Sequence, residues 1–150
     1  MLRGFRYAIR GVRHCLSEER NFRIHTVAAG YVLILARHFL NSTVEWAVLL
    51  LTIALVMGAE AVNTAIERAV DLACPKQDEG AAVAKDAAAG AVLLCSVGAV
   101  AVAICLFGRP AAWNALWNVW CRQWWRPLLL GLSIPAALWV VFRKHGKCEK

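Results

Sequence analysis

The sequence is poor in charge. Only 18% of its 150 residues are Asp, Glu, Lys or Arg, whereas 60% are hydrophobic and the mean hydropathy is +0.53. Such a chain is too apolar for an ordinary soluble domain of this size. Acidic residues are the scarcer kind, 10 against 17 Lys and Arg, which leaves a net charge of +7. In a membrane protein this excess is typical of cytoplasmic loops and of contact with anionic lipid. Because no basic groove with interleaved aromatic residues is visible, we expect one small membrane domain and no nucleic-acid partner.

Several common site motifs are missing. The 6 cysteines show no C-x-x-C pair and no metal-finger spacing, so we expect neither disulfides nor zinc. The sequence has no G-x-x-x-x-G-K-[ST] and no kinase-type glycine loop, so any nucleotide would have to be held by other means. The N-terminus does not fit a secretory signal, because 6 arginines precede the first apolar run and no convincing small-residue cleavage site follows it.

The first segment, residues 2–22, has the pattern of an amphipathic helix. Its apolar positions recur at helical spacing, and its arginines form a second stripe beside them. The apolar stripe is Phe5, Ile9, Val12 and Leu16, and the basic stripe is Arg3, Arg6, Arg10 and Arg13. This pattern predicts a helix in the membrane interface with its basic face toward lipid phosphates. A sharper alternative is that one or two of these arginines also contact a phosphate-bearing substrate.

Three apolar runs predict three core transmembrane helices, over about residues 26–40, 44–66 and 84–107. The second run continues as a helix until Cys74-Pro75, because proline disfavours helix at the residue before it. A short polar loop, residues 76–80, then makes the second and third helices antiparallel neighbours. Small residues at the start of the third run would let these two helices approach closely.

The sequence changes character after Gly108-Arg109-Pro110, which should end the third helix. A face of tryptophans predicts an interfacial helix, and a shorter apolar run at 127–142 predicts a fourth transmembrane helix. The tryptophans are Trp113, Trp117, Trp120 and Trp124. We therefore divide the chain into a membrane domain, 1–108, and a Trp-rich extension, 109–150. Lys and Arg are concentrated on one side of these spans, so the positive-inside rule predicts that both termini are cytoplasmic.

Polar residues on the second span form the strongest candidate site. Glu60, Asn63, Glu67 and Asp71 are spaced to share one face of a helix. Carboxylates in a membrane helix are expensive and usually functional. A second polar cluster, Lys85-Asp86, begins the next span, and antiparallel packing would place it level with Glu67 and Asp71. We interpret the two clusters as one cytoplasmic site.

Carboxylates beside a lysine suit phosphate chemistry. Mg²⁺ binds one or two carboxylates together with substrate phosphates, and lysine neutralises phosphate charge. Phosphoryl transfer also uses a carboxylate to accept the proton of the attacking hydroxyl. Glu60 lies where a lipid head hydroxyl could reach it, and Glu67 is placed for the metal. The alternative is that Glu60, Asn63 and Glu67 only satisfy one another between packed helices. Spacing alone would leave Glu19 as a solvated acid.

Three ordered motifs resemble the prokaryotic diacylglycerol kinase family, and most closely its Gram-positive-type branch, which includes undecaprenol kinases. The resemblance covers about residues 5–107. The motifs are Glu60-x-x-Asn-Thr-Ala-Ile-Glu67-x-x-Val-Asp71-Leu, Ala84-Lys-Asp-x-Ala-Ala-Gly-Ala-Val-Leu93, and Glu19-Arg-Asn-Phe-Arg-Ile-His25.

This resemblance implies a multi-pass lipid kinase of the bacterial cytoplasmic membrane that uses ATP and Mg²⁺. It implies a homotrimer whose active sites are shared between subunits and face the cytoplasm. By the resemblance, Glu60 is the proton acceptor, and Glu19 and Glu67 bind the metal. The positions implied to contact ATP are Tyr7, Glu19, Glu67, Lys85 and Asp86. The positions implied to bind substrate or support the site are Glu60, Asn63, Asp71 and Ala89.

Two features depart from that pattern. The loop before Lys85 lacks the Tyr-His pair that is frequent in the family, and the extension after Arg109 is not part of the core pattern. The extension could cap the trimer, bind a partner or return the C-terminus to the cytoplasm. The branch favours undecaprenol over diacylglycerol as the substrate. Two other classes stay open: a small four-helix transporter, which the clustering of the acids opposes, and a non-catalytic membrane assembly protein.

Overall fold

The computed structural model describes residues 2–76, 78–122 and 125–143, and every secondary-structure element among them is an α-helix. This confirms the all-α prediction. In chain order the helices are α1 (Leu2–Glu18), α2 (Arg20–Phe39), α3 (Thr43–Ala73), α4 (Glu79–Phe107), α5 (Pro110–Arg122) and α6 (Trp125–Phe142).

The boundary between the first two helices differs from the prediction. The surface helix was predicted to reach residue 22, but α1 ends at Glu18 and α2 begins at Arg20. Glu19 between them is extended, with φ −93° and ψ 117°. Glu18 and Glu19 at this break are both acidic, and negative charge is unfavourable at the C-terminus of α1. The spacing of the apolar residues did not indicate the break.

The start of α3 is fixed by a capping box. The Ser42 side chain accepts from the backbone N–H of Val44, and Glu45 Oε2 accepts from the N–H of Ser42 at 3.2 Å. The helix then runs 31 residues to Ala73 and ends where Cys74-Pro75 was predicted to end it.

The start of α4 corrects the predicted loop. Residues 76–80 were expected to lie outside any helix, but α4 begins at Glu79. Asp78 caps it, because its Oδ1 accepts from the N–H of Ala81 at 3.0 Å. An acidic residue in the first turn is also favourable for the helix dipole.

Two helices of the described residues, α3 and α4, are long and apolar enough to cross a membrane. They pack against each other more extensively than any other pair of helices. Only 11% of the most apolar stretch of α4 is buried within the chain, whereas a core helix of a soluble protein would be mostly buried. Helix α2 has 20 residues, which is long enough for a span. It also includes Arg20, Arg23 and Arg37, so its length fits a span but its composition does not. Spanning roles for α2 and α6 remain predictions.

The largest apolar core lies where α2, α3, α4 and α5 meet. Phe39 is 1% exposed, and its ring contacts those of Phe107 and Trp113 with centroids 5.4 Å and 4.8 Å apart. Trp113 also donates from Nε1 to the carbonyl of Phe107 at 2.7 Å. An ion pair between Arg109 and Glu45 joins the start of α5 to the start of α3.

These contacts change the interpretation of the tryptophan face. Trp113 and Trp120 pack against the core, whereas Trp117 is 70% exposed. Trp113 and Trp120 therefore attach α5 to the bundle, whereas Trp117 is exposed enough to lie in a membrane interface. Trp124, the last member of the predicted face, lies outside the described residues.

Candidate active site

Three polar side chains are buried on α3. Glu60, Asn63 and Thr64 are 3%, 7% and 5% exposed. They lie beneath the junction of α1 and α2, where Asn21 makes a polar contact with Glu60 and His25 lies within electrostatic range of it. The Thr64 hydroxyl donates to the carbonyl of Glu60 at 3.1 Å, so it does not occupy the Glu60 carboxylate. A buried acid on an apolar helix is costly and usually marks a functional site. Here the Glu60 carboxylate is left for partners other than Thr64.

Glu67 lies two turns along α3 from Glu60 and is held by its neighbour Asn63. Asn63 Nδ2 donates to Glu67 Oε1 at 2.8 Å. The amide oxygen of Asn63 is buried and has no hydrogen-bond partner among the described residues. A buried acceptor without a donor is rare in proteins and indicates room for an ion, a water or a ligand group.

Glu19 reaches the same region from the junction of α1 and α2. Its carboxylate lies 3.6 Å from the Arg68 guanidinium, and its charge acts on both Glu60 and Cys15. The four-residue spacing of Asn63 and Glu67 and the extended backbone of Glu19 therefore bring three acids, Glu19, Glu60 and Glu67, into one electrostatic neighbourhood. Within the described ranges, no three His, Cys, Asp or Glu side chains lie close enough to hold a metal on their own.

A second polar group lies beside the first, between the end of α3 and the start of α4. Lys85 pairs with Asp71, as the antiparallel arrangement of the two spans predicted. This pair borders an open cleft of about 590 Å³, whose charged lining residues are Asp71, Lys76, Asp78, Glu79 and Lys85. Val70 and Pro75, at the C-terminal end of α3, also line the cleft.

Three predicted site residues are apart from both groups. Tyr7 is 64% exposed on α1, with the Arg10 guanidinium 5.7 Å from its ring centroid. Asp86 and Ala89 are exposed on α4. No hydrogen bond or ion pair among the described residues links the Glu60 group to the Asp71–Lys85 pair. The interpretation of the two clusters as one site therefore stays a prediction.

Sequence reasoning did not assign a role to several residues that line the site. These are Cys15, Asn21, His25, Thr64 and Arg68. Two of them carried a usable signal, because Thr64 and Arg68 lie four and eight residues after Glu60 and so share its side of α3. Nothing in the spacing of Asn21 and His25 indicated that the α1–α2 junction would lie over Glu60.

Comparison of the sequence with known proteins identifies its family. Residues 6–107 match the sequence model of the family described as prokaryotic diacylglycerol kinase. The chain belongs to that family. The resemblance inferred from the three motifs is thereby confirmed, and the matched segment contains every candidate site residue named above.

Two named relatives of this diacylglycerol kinase family member align with it. A protein of Synechocystis sp. named diacylglycerol kinase is 45% identical over 111 residues, which cover 73% of this chain and 63% of that protein. A protein of Bacillus subtilis named undecaprenol kinase is 39% identical over 105 residues, which cover 70% of this chain and 85% of that protein. The alignment thus spans less than two thirds of the Synechocystis protein.

The family match ends at Phe107, so α5 and α6 lie beyond it. The family is one of membrane proteins, in agreement with the two apolar helices α3 and α4. The matched residues contain no glycine-rich phosphate loop.

Proposed function

We propose that this family member phosphorylates a membrane lipid alcohol with ATP. The observation that carries the proposal is Glu60, a carboxylate only 3% exposed on an apolar helix, with its oxygens left available by its own helix. Family membership and the names of both relatives support a lipid kinase.

In this proposal Glu60 accepts the proton of the lipid hydroxyl as the oxygen attacks the γ-phosphorus of ATP, and the bond from that phosphorus to the β–γ bridging oxygen breaks to release ADP. A largely apolar groove of about 130 Å³ lies between α2, α3 and α4. Val56 and Met57, one turn before Glu60, line it together with His25. A hydrocarbon chain lying in this groove would bring its hydroxyl to the carboxylate, and such positioning is a large part of phosphoryl-transfer catalysis.

The residues present fit Mg²⁺ carried by a nucleotide. Mg²⁺ prefers hard oxygen ligands and usually takes one or two protein carboxylates, the rest coming from phosphates and water. Glu19 and Glu67 would supply the carboxylates, and the unpartnered amide oxygen of Asn63 lies beside Glu67. When bound, the ion neutralises charge on the transferred phosphate.

Lys85 and Asp86 would orient the nucleotide from the start of α4, with Tyr7 as a further contact. Lys85 is 37% exposed, and Asp71 holds its ammonium group in place beside the open cleft. An ammonium at a cleft is suited to phosphate as a compact point charge. The proposal therefore assigns the phosphate tail to Lys85 and leaves Asp71 as its support.

We propose undecaprenol as the lipid acceptor. The relative named undecaprenol kinase is matched over 85% of its length, whereas the relative named diacylglycerol kinase is matched over 63%. Diacylglycerol is the second candidate, because the relative with that name has the higher identity, 45% against 39%. Both alcohols would meet Glu60 in the same way, so the mechanism does not depend on the choice.

We also propose a homotrimer in a bacterial cytoplasmic membrane, with the site and both termini on the cytoplasmic side. The largely uncovered apolar surface of α4 supports subunit or lipid contacts along its length. Leu94 and Ile104, 75% and 68% exposed, are examples of side chains that need such a cover.

Transfer of labelled γ-phosphate from ATP by the purified protein in mixed micelles tests the function. The lipid arms are undecaprenol, diacylglycerol and no added lipid, each repeated with Glu60→Gln. Labelled undecaprenyl phosphate that disappears in the variant is the expected result. Labelled phosphatidic acid would retain the mechanism and reverse the substrate. No labelled lipid from folded protein would refute the proposal.

A further inference from the structure

The helix α6 lies outside the family match, yet it docks on the helix that begins the candidate site. The Tyr31 and Ser133 hydroxyls form a hydrogen bond of 2.8 Å, and Arg23 Nε donates to the carbonyl of Val141 at 3.3 Å. The two contacts are eight residues apart on α2 and eight residues apart on α6. This matched spacing means that the helices run antiparallel, so the end of α6 lies at the beginning of α2.

Arg23 binds the ends of two helices at once. Its Nε donates to Val141 near the end of α6, and its Nη1 donates to the carbonyl of Ser17 near the end of α1 at 2.7 Å. Carbonyls in the last turn of a helix have no partner within the helix and carry the negative end of its dipole. A guanidinium is therefore well suited to join the two ends.

Arg23 occupies a position in its own helix that is unfavourable for a positive charge. It lies in the first turn of α2, where the dipole disfavours a positive charge. The two accepting helix ends offset that cost. A second arginine of the same turn, Arg20, has its guanidinium carbon 4.8 Å above the ring of Phe142, which is a cation–π contact with the last residue of α6.

These contacts surround Glu19. The Arg23 side chain binds Ser17, two residues before Glu19, and the Arg23 backbone N–H donates to the carbonyl of Glu19 at 3.2 Å. Glu19 itself is the single extended residue between α1 and α2, so its direction depends on how those helices are held. Its carboxylate reaches Arg68 of α3 at 3.6 Å.

We propose that the C-terminal end of α6 clamps the α1–α2 junction through Arg23 and Arg20, and that this clamp positions Glu19 for Mg-ATP. Arg23 is a positioning residue that acts through Glu19. The positioning of Glu19 for Mg-ATP rests on the proposed function, whereas the clamp itself does not. The extension thereby gains a role that the family match does not cover.

Cys15 reports on the clamp without any need for activity. It is 7% exposed, one turn before Glu19, and contacts Thr64 of α3. If the clamp is lost, α1 separates from α3 more often and the thiol becomes accessible. The experiment uses the full chain with Cys15 as its only cysteine and follows its modification by a water-soluble maleimide in micelles.

The variants are Arg23→Gln and Phe142→Leu, with Arg37→Gln as the matched control at the other end of α2. We expect Arg23→Gln to speed modification of Cys15 about tenfold, as for loss of a charge-assisted hydrogen bond. Phe142→Leu, which leaves α1 and α2 unaltered, should speed it about two- to fivefold. Arg37→Gln should match the parent. Parental rates in both test variants would overturn the clamp.

A Mg²⁺ titration of lipid phosphorylation tests the effect on Glu19. In Arg23→Gln the Mg²⁺ concentration for half-maximal rate should rise about fivefold or more, with kcat at saturating Mg²⁺ near the parental value. Faster Cys15 modification with a parental Mg²⁺ titration would overturn the positioning of Glu19. An inactive parent protein would refute the proposed function, and the Cys15 rates would still decide whether the clamp exists.

Discussion

Asn63 donates a hydrogen bond from Nδ2 to Oε1 of Glu67, 2.8 Å away and one turn further along α3. The bond fixes the amide so that its oxygen is the atom left without a partner. A structural pair would satisfy both groups, whereas this pair leaves a buried acceptor beside a carboxylate. That arrangement favours the ligand-binding interpretation over mutual satisfaction between packed helices.

Glu67→Gln should therefore raise the Mg²⁺ concentration needed for lipid phosphorylation. The amide removes the negative charge but keeps the size of the side chain and can still bond Asn63. We expect the half-maximal Mg²⁺ concentration to rise about tenfold or more, as for loss of a charged ligand. Glu45→Gln, at the opposite end of α3, is the control, because glutamine can still form the capping box. An unchanged Mg²⁺ titration would remove Glu67 from the metal site.

Glu60→Gln should lower kcat far more than it changes the KM for ATP. Loss of a positioned general base typically costs about 10²- to 10⁴-fold in rate. The substitution leaves Glu19, Glu67 and Lys85 unaltered, and these are the residues proposed to hold Mg-ATP, so nucleotide affinity should be nearly retained. Steady-state kinetics with varied ATP measure both constants. The control is Glu18→Gln, which changes an exposed acid at the end of α1. An equal loss of kcat in that variant would indicate a general charge effect instead.

Lys85→Met should weaken ATP binding with little loss of stability. The Lys85–Asp71 pair is solvent-accessible, with side chains 37% and 65% exposed, and such pairs contribute about 0–1 kcal/mol. A large rise in the KM for ATP together with a parental Tm would therefore show a role in binding. Asp71→Asn frees the Lys85 ammonium group without removing it, so it should raise the KM for ATP less than Lys85→Met does. A larger rise in Asp71→Asn would assign the nucleotide contact to Asp71.

Much of this arrangement could be predicted from local sequence. Helical spacing predicted the shared face of Glu60, Asn63 and Glu67, and a short connection predicted that Lys85 would meet Asp71. Both are consequences of geometry within one helix or between sequential neighbours. The stop at Cys74-Pro75 likewise followed from the conformational limits of proline.

Long-range docking could not be predicted in the same way. The α1–α2 junction meets α3 through Asn21 and His25, and α6 meets α2 through Tyr31 and Ser133, 102 residues apart. Single polar residues at such separations carry no periodic signal. The break at Glu19 was missed for a different reason, since a single extended residue gave no signal in the spacing of the apolar residues.

Phe39→Ala should destabilise the end of the bundle where α5 attaches. Phe39 is 1% exposed and contacts both Phe107 and Trp113, so its loss leaves a cavity between four helices. Buried Phe→Ala changes cost about 3–5 kcal/mol. Thermal unfolding in detergent should show a clearly lower Tm, whereas Phe5→Ala, at a position 72% exposed, should not. Equal Tm values for the two variants would contradict the packing of α5 on the core.

Cys15 and Cys74 should react with alkylating agents at very different rates. Burial against α3, together with the nearby charge of Glu19, raises the pKa of the Cys15 thiol above its usual value. Since the thiolate is the reactive form, Cys15 combines poor access with a low thiolate fraction at neutral pH. Cys74 at the end of α3 is exposed.

Single-cysteine proteins that retain either thiol allow this comparison. At pH 7 Cys74 should be modified by iodoacetamide well before Cys15, and the Cys15 rate should rise about tenfold per pH unit until the pH passes its raised pKa. In a denaturing detergent the two rates should converge, because the difference depends on the packing of α1 against α3. A Cys15 that reacts as fast as Cys74 in mild detergent would show that α1 is detached, and Glu19 would then lack the support on which its proposed role depends.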